Sequence, residues 1–299
     1  MENKAESHQN QKGWYDKWYK VLFFIPIVIL VASLIYLGIF YSQTGELINR
    51  DVSLKGGTTI TLPGDIDSAG VEAKLKDKIP DASFRSLSDL RTGKSIALVI
   101  ESSMQPDEMK SLVEEAVGYE LDDKNSSIEF TGPTLSGNFY RQLIIALIIS
   151  FVFMSIVIFV MFRSFIPSLG VIFTAFSDIV MPLALIDYFG INISAAGIAA
   201  FLMLIGYAVD TNILLTTRAL KKTEGTLNQR IYGAFKTGIF MTIVALAAVL
   251  PAFFLVTGLP DSFRQIFLIL SLGLGADIIN TWFTNASIIK WYCERKSIR

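Results

Sequence analysis

Cysteine and histidine are almost missing from this chain of 299 residues, which has one of each. A lone cysteine, Cys293, can form no intramolecular disulfide and no cysteine-based metal site. A lone histidine, His8, excludes the paired histidines of a helical zinc motif. His8 also sits in a polar N-terminal tail, so it supplies no base to an intramembrane serine or cysteine protease. No metal, no cofactor and no enzymatic activity are expected. Charge is scarce too. Only 18% of residues are Asp, Glu, Lys or Arg, and a net charge of −1 leaves no basic excess to draw nucleic acid. What is there is apolar: 52% hydrophobic residues and a mean hydropathy of +0.49, the composition of a protein that lives in membrane lipid.

Residues 1–20 are polar and carry Lys4, Lys12, Lys17 and Lys20. Residues 21–40 are then continuously apolar, longer than the core of a cleaved signal peptide and long enough to span a bilayer. They predict a first transmembrane helix over 21–41, with Trp14, Tyr15, Trp18 and Tyr19 at headgroup level. Five further spans are expected near 143–162, 168–189, 193–215, 231–256 and 263–289, and a polar tail over 291–299. The result is a polytopic α-helical membrane protein with six transmembrane helices in a one-plus-five layout. Arg163, Arg218, Lys221, Lys222, Arg230, Lys290, Arg295, Lys296 and Arg299 fall on the same side as the N-terminal lysines. The short opposite loops, 190–192 and 257–262, contain no Lys or Arg. Both termini are therefore expected in the cytoplasm.

Residues 42–140 have a different character, with charges every few residues and no long apolar run. A β-branched run ends the segment 51–62. Asp67 or Ser68 caps a helix whose Val71, Leu75 and Ile79 share one face, and Pro80 stops it. Strands are expected over 83–90 and 95–100 around a Thr92-Gly93 turn. Pro106 opens a second helix with Asp107 and Glu108 in its first turn, and 127–131 closes the domain as a strand. The order β-α-β-β-α-β predicts an extracytoplasmic α+β, ferredoxin-like domain between helices 1 and 2. It holds no nucleophile or metal constellation, which points to contact or mechanical work. Residues 141–290 then carry helices 2–6.

The spans contain four charged residues: Asp178, Asp210, Lys236 and Asp277. A carboxylate at the centre of a spanning helix costs about 2.5–3.5 kcal/mol or more, so it is a functional candidate. Asp210 is the first of these. Asp210 and Lys236 are expected at similar depth, where they could pair and switch a proton. Lys236 also fits snorkelling to the interface, and Asp178 and Asp277 also fit structural hydrogen bonding to neighbouring helices. Asn212 reads as interhelical glue. Gly206, Gly273 and Gly275 read as close helix packing.

Several stretches in order resemble one family. The segment 51–58 (DVSLKGGT) resembles a D-x-x-G-G-T motif after the first span. Thr131-Gly132-Pro133 with Gly137 resembles a V-G-P-x-x-G approach to the second. Residues 205–212 (IGYAVDTN) resemble its fourth-span motif, with Arg218 following, and Lys236-Thr237 with Met241-Thr242 resembles its fifth-span opening. The chain is identified by these as similar to the SecD–SecF protein-export family of the RND superfamily, in its archaeal form. Bacterial members place the fourth-span acid one position later, at Thr211 here, and an Arg at Lys236. Asp277 has no counterpart in that pattern.

That resemblance implies an accessory subunit of the Sec translocase, coupled to the proton gradient. Its implied partners are SecD, a SecY-type channel, secreted polypeptide chains and membrane lipid, and Asp210 and Lys236 would be relay residues. Two other classes remain open: half of an RND-type small-molecule transporter, or an intramembrane aspartyl protease. The protease would need Asp178 and Asp210 close enough to share a proton.

Overall fold

The computed structural model describes residues 14–88, 94–221, 225–255 and 261–296. His8, the Thr92-Gly93 turn, Lys222 and most of the 257–262 loop lie outside the described residues. Six of the described helices are long and apolar enough to cross a membrane. They arise from α1 (Trp14–Thr44), α5 (Pro133–Phe162), α6 (Phe165–Tyr188), α7 (Ala195–Lys221), α8 (Leu227–Leu255), and α9 (Asp261–Ile279) with its continuation. That continuation is a π-helical segment, Asn280–Asn285, and then α10 (Ala286–Arg295). Helix α5 starts ten residues before the expected 143. Gly132 caps it and Pro133 stands at its first position, where a missing N–H is harmless. The polar first turns that the apolar run leaves out are helical as well.

The bundle has a centre and a rim. In α6 and α7, 61% and 56% of the most apolar stretch is buried against the chain, but in α1, α5 and α8 only 11%, 6% and 11%. Thus α6, α7 and the α9–α10 helix form the packed middle. The outer faces of α1, α5 and α8 are left for lipid or another protein.

Between α1 and α5 lies a small α+β unit. It runs β1 (Gly57–Pro63), α3 (Ser68–Leu75), β2 (Ser83–Ser88), β3 (Ser95–Ser102), α4 (Pro106–Val117) and β4 (Ser127–Thr131), preceded by one helical turn, α2 (Val52–Lys55). All pairings are antiparallel, in the order β2-β3-β1-β4, with Ile60 opposite both Ile100 and Ile128. Alternation sets the core face: Thr58, Ile60 and Leu62 are buried, and Leu98 and Ile100 join them from β3. Val71 and Leu75 of α3 and Met109 and Val113 of α4 pack on that face. Asp67 is the N-cap of α3, its carboxylate accepting from the Gly70 N–H.

The unit meets the bundle at the α6–α7 turn. The α6–α7 turn pairs with the chain leaving α1 as an isolated parallel bridge, Arg50 against Ile193. Ile193 donates its N–H to the Asn49 carbonyl at 2.7 Å and accepts from Asp51 at 3.0 Å. The Asn49 N–H donates to Asp187 Oδ1 of α6 at 3.0 Å. Ile48 and Leu54 sink into the same apolar cluster as Ile186, Ile193 and Phe201. Glycine is required beside this joint. Gly57 has φ +146°, and a Cβ there would stand 2.2 Å from the Ser102 carbonyl oxygen.

Candidate functional site

The three acids inside the spans meet different surroundings. Asp178 on α6 and Asp277 on α9 are fully buried, whereas Asp210 on α7 is exposed. Helical phase is the cause. At about 3.6 residues per turn, Thr211 and Asn212 face into the bundle and Asp210 does not.

Asp277 is held by two hydroxyls. Thr211 Oγ1 lies 2.8 and 2.9 Å from its two carboxylate oxygens, and Thr281 Oγ1 donates at 2.7 Å. Asp178 accepts from Asn280 Nδ2 at 2.7 Å, and its second oxygen is buried with no hydrogen-bond partner. Asn280 and Thr281, which bond Asp178 and Asp277, are consecutive residues, and Thr211, which bonds Asp277, follows Asp210 in α7. No lysine or arginine pairs with any of the three among the described residues.

The π-helical segment organises this interior. Its wide turn is marked by the Ala286 N–H bonding to the Thr281 carbonyl five residues back. It aims Asn280 at Asp178, Thr281 at Asp277 and Asn285 at Asn212. Asn212 Oδ1 accepts from Thr174 Oγ1 of α6 at 3.0 Å and from Asn285 Nδ2 at 2.6 Å, and its own amide donates to the Ala208 carbonyl at 2.8 Å. Asn212 thereby joins α6, α7 and the sixth span. π-turns inside helices are frequent at functional sites.

Other expected residues stand elsewhere. Lys236 is exposed, and neither a hydrogen bond nor an ion pair joins it to Asp210. The pairing proposed for them is not made in this structure. Asp178 and Asp210 do not hydrogen-bond to each other either, one being interior and the other on the surface, so a two-carboxylate protease dyad is not assembled. Gly273 does pack closely, since a Cβ there would meet the Leu204 side chain at 2.3 Å. Gly206 and Gly275 do not: a Cβ at either would find nothing within 4 Å. Gly206 stands one turn before Asp210 on the open face of α7, and Gly275 lines a groove with Ala32, Tyr36 and Met181. Lys290, expected in a cytoplasmic flank, is 1% exposed. Its Nζ donates to Asn228 Oδ1 at 2.6 Å and lies 3.3 Å from Glu294 Oε1.

Sequence reasoning missed Thr174, Asn280, Thr281 and Asn285, and named Thr211 only as the position of the bacterial acid. One signal was present. Asp277, Thr281 and Asn285 recur every four residues, as do Thr174 and Asp178, which puts polar groups on one helix stripe.

Residues 111–295 match the family described as protein export membrane protein SecD/SecF, C-terminal. The protein-export membrane protein SecF of Methanolacinia petrolearia is 38% identical over 273 residues, 91% of this chain and 93% of that one. The protein of the same name from Methanothermobacter thermautotrophicus is 37% identical, over 94% of this chain and 95% of its own length. Among solved structures, SecDF of Thermus thermophilus, a translocon-associated membrane protein, superposes with a TM-score of 0.71 at 13% identity. The match covers 96% of this chain and 39% of that longer one. A super-membrane-facing form of SecDF gives 0.57 at 16% identity.

Proposed function

The chain belongs to the SecD/SecF family of protein-export membrane proteins, and from that membership we propose that it works with SecD as an accessory subunit of the Sec translocase. It promotes protein export across the cytoplasmic membrane. The observation that carries this is the 38% identity to an archaeal SecF along nearly the whole of both chains. Depleting the chain from its cell tests it. Secretion of a signal-bearing reporter falls and returns when the chain is resupplied; unchanged secretion would contradict the reading.

The finer reading is ours. The unit between α1 and α5 is an extracytoplasmic ferredoxin-like domain in a one-plus-five layout, supported by its βαββαβ order and its antiparallel 2-3-1-4 sheet. The termini lie in the cytoplasm, supported by the Lys and Arg bias of the short loops. Export is coupled to the proton gradient through Asp210, with Asp277 and Asp178 behind it and Lys236 available to a partner-induced arrangement. An exposed carboxylate in lipid is costly, so its solvation must come from water or a second protein. SecD is the natural cover for the open face of α7 that carries Gly206 and Asp210. A SecY-type channel and the secreted chain are the remaining partners. The Asn49–Asp187 and Arg50–Ile193 contacts would carry movement of α6 and α7 to the outer domain.

A further inference from the structure

Among the described residues no lysine or arginine bonds to the interior acids Asp178 and Asp277. All their donors are neutral: an amide from Asn280 and hydroxyls from Thr211 and Thr281. Burying an ionised carboxylate costs far more than burying the neutral acid unless a cation or several hydrogen-bond donors hold the charge. The hydrogen bonds distinguish the two. Both oxygens of Asp277 lie within bonding distance of a hydroxyl. Asp178 has a single amide donor, on one oxygen, and its other oxygen receives no hydrogen bond, so it has the fewer groups to hold a negative charge. We infer that Asp178 is a resting proton site in the bundle interior, a neutral carboxylic acid held by Asn280 of the π-helical turn, while Asp277 stands between it and Asp210.

The surrounding elements leave this assignment intact. On α7 the titratable groups next to Thr211, which bonds Asp277, are Asp210, the preceding residue, and Tyr207, one turn before. Tyr207 donates its hydroxyl to the Met241 carbonyl at 3.3 Å, and Asp210 could only add negative charge. Helix α1 presents Leu30 to Val180, Met181 and Ala276 beside the acids. Helix α5 meets α6 and α7 through Phe151, Met154 and Ile158. On α8, Lys236 is exposed. Among the described residues no lysine or arginine bonds to Asp178 or Asp277. Thr211, next to Asp210 in the chain, and the hydrogen bonds of Thr211, Thr281 and Asn280 connect the three acids in a series from the open face of α7, through α9, to α6. The proton that any coupling at Asp210 moves has an occupied site behind it.

This deepens the proton-coupling reading, and its readout is spectroscopic, so it can fail while export itself stands. The experiment is infrared spectroscopy of the full chain in lipid at neutral pH, comparing wild type with Asp178→Asn. Wild type is expected to show the carbonyl stretch of a protonated carboxylic acid, and Asp178→Asn to lose it. A wild-type spectrum without that band, or a band that survives Asp178→Asn, overturns the proposal. Asn280→Ala, which keeps both acids, is the second variant should Asp178→Asn fail to fold. Its band must move to higher frequency, because the carbonyl loses its donor; an unmoved band also overturns the assignment.

Discussion

Thr211 on α7 and Asp277 on α9 meet in the middle of the bundle, the hydroxyl oxygen 2.8 and 2.9 Å from the two carboxylate oxygens. This contact explains why the chain tolerates an acid in its sixth span. It also sets the phase of α7: the inward position holds a neutral donor, and the acid next to it, Asp210, looks outward.

Replacing Thr211 by Val keeps the shape and removes the donor. A buried polar group that loses one partner costs about 1–3 kcal/mol. Thr211→Val is expected to lower the thermal midpoint of the chain in detergent, and Asp277→Asn in the same background to recover part of that loss. Equal midpoints for wild type and Thr211→Val would show that the contact contributes nothing.

The glycines separate internal packing from partner contact. Gly273→Ala pushes a methyl into Leu204, a fully buried neighbour, and overpacking of this kind costs about 1–3 kcal/mol. Gly206→Ala meets nothing within 4 Å, so the isolated chain is expected to keep its stability. If SecD covers that face, recovery of SecD with Gly206→Ala falls while the fold persists. Melting curves and co-purification together decide it.

The joint below the outer domain responds to acid. The Arg50 guanidinium hydrogen-bonds Glu46, at 2.5 and 3.2 Å, and holds its carboxyl below the usual glutamate range. Because the folded value is the lower one, the stabilisation is complete above the unfolded value. It is lost as pH falls through the usual range toward the folded one. The protection factors of residues 46–56, exchange rates corrected for their intrinsic pH dependence, are expected to fall on acidification, and Glu46→Gln to remove that fall. Protection factors that fall equally in both chains would refute the assignment.

Gly57 tests the close approach of β1 to the end of β3. Its φ of +146° disfavours any side chain, and a Cβ would clash with the Ser102 carbonyl oxygen. Gly57→Ala is expected to destabilise the outer domain by at least about 1–3 kcal/mol. Limited proteolysis within residues 57–131 reads this out; unchanged resistance would count against it.

Much of this was legible beforehand, for physical reasons that differ by element. The spans were, because lipid demands unbroken apolar runs. The α+β order was, because Asp67, Pro106 and the alternation of β1 are local signals. Helix α2 was not, since a single turn has no period. The Asn280–Asn285 π-turn was not, because nothing in NTWFTN separates a wide turn from an ordinary one. Asp210 stands out in the sequence as an acid in a span, but its outward direction depends on neighbours that sequence does not supply. The same holds for Lys236, placed near Asp210 by depth and left apart from it by the packing. Lys290 looked like a flank residue and is buried, because Asn228 and Glu294 meet it from α8 and from the next turn.

The most direct test of proton-coupled export is secretion of a reporter protein in cells whose sole copy of this chain carries Asp210→Asn, with membrane abundance and SecD recovery measured alongside. Asparagine keeps the size and removes the titratable proton. The account predicts that secretion falls while abundance and SecD recovery stay normal. Secretion equal to wild type would contradict it, leaving the chain as a partner of SecD that carries no coupling proton at Asp210.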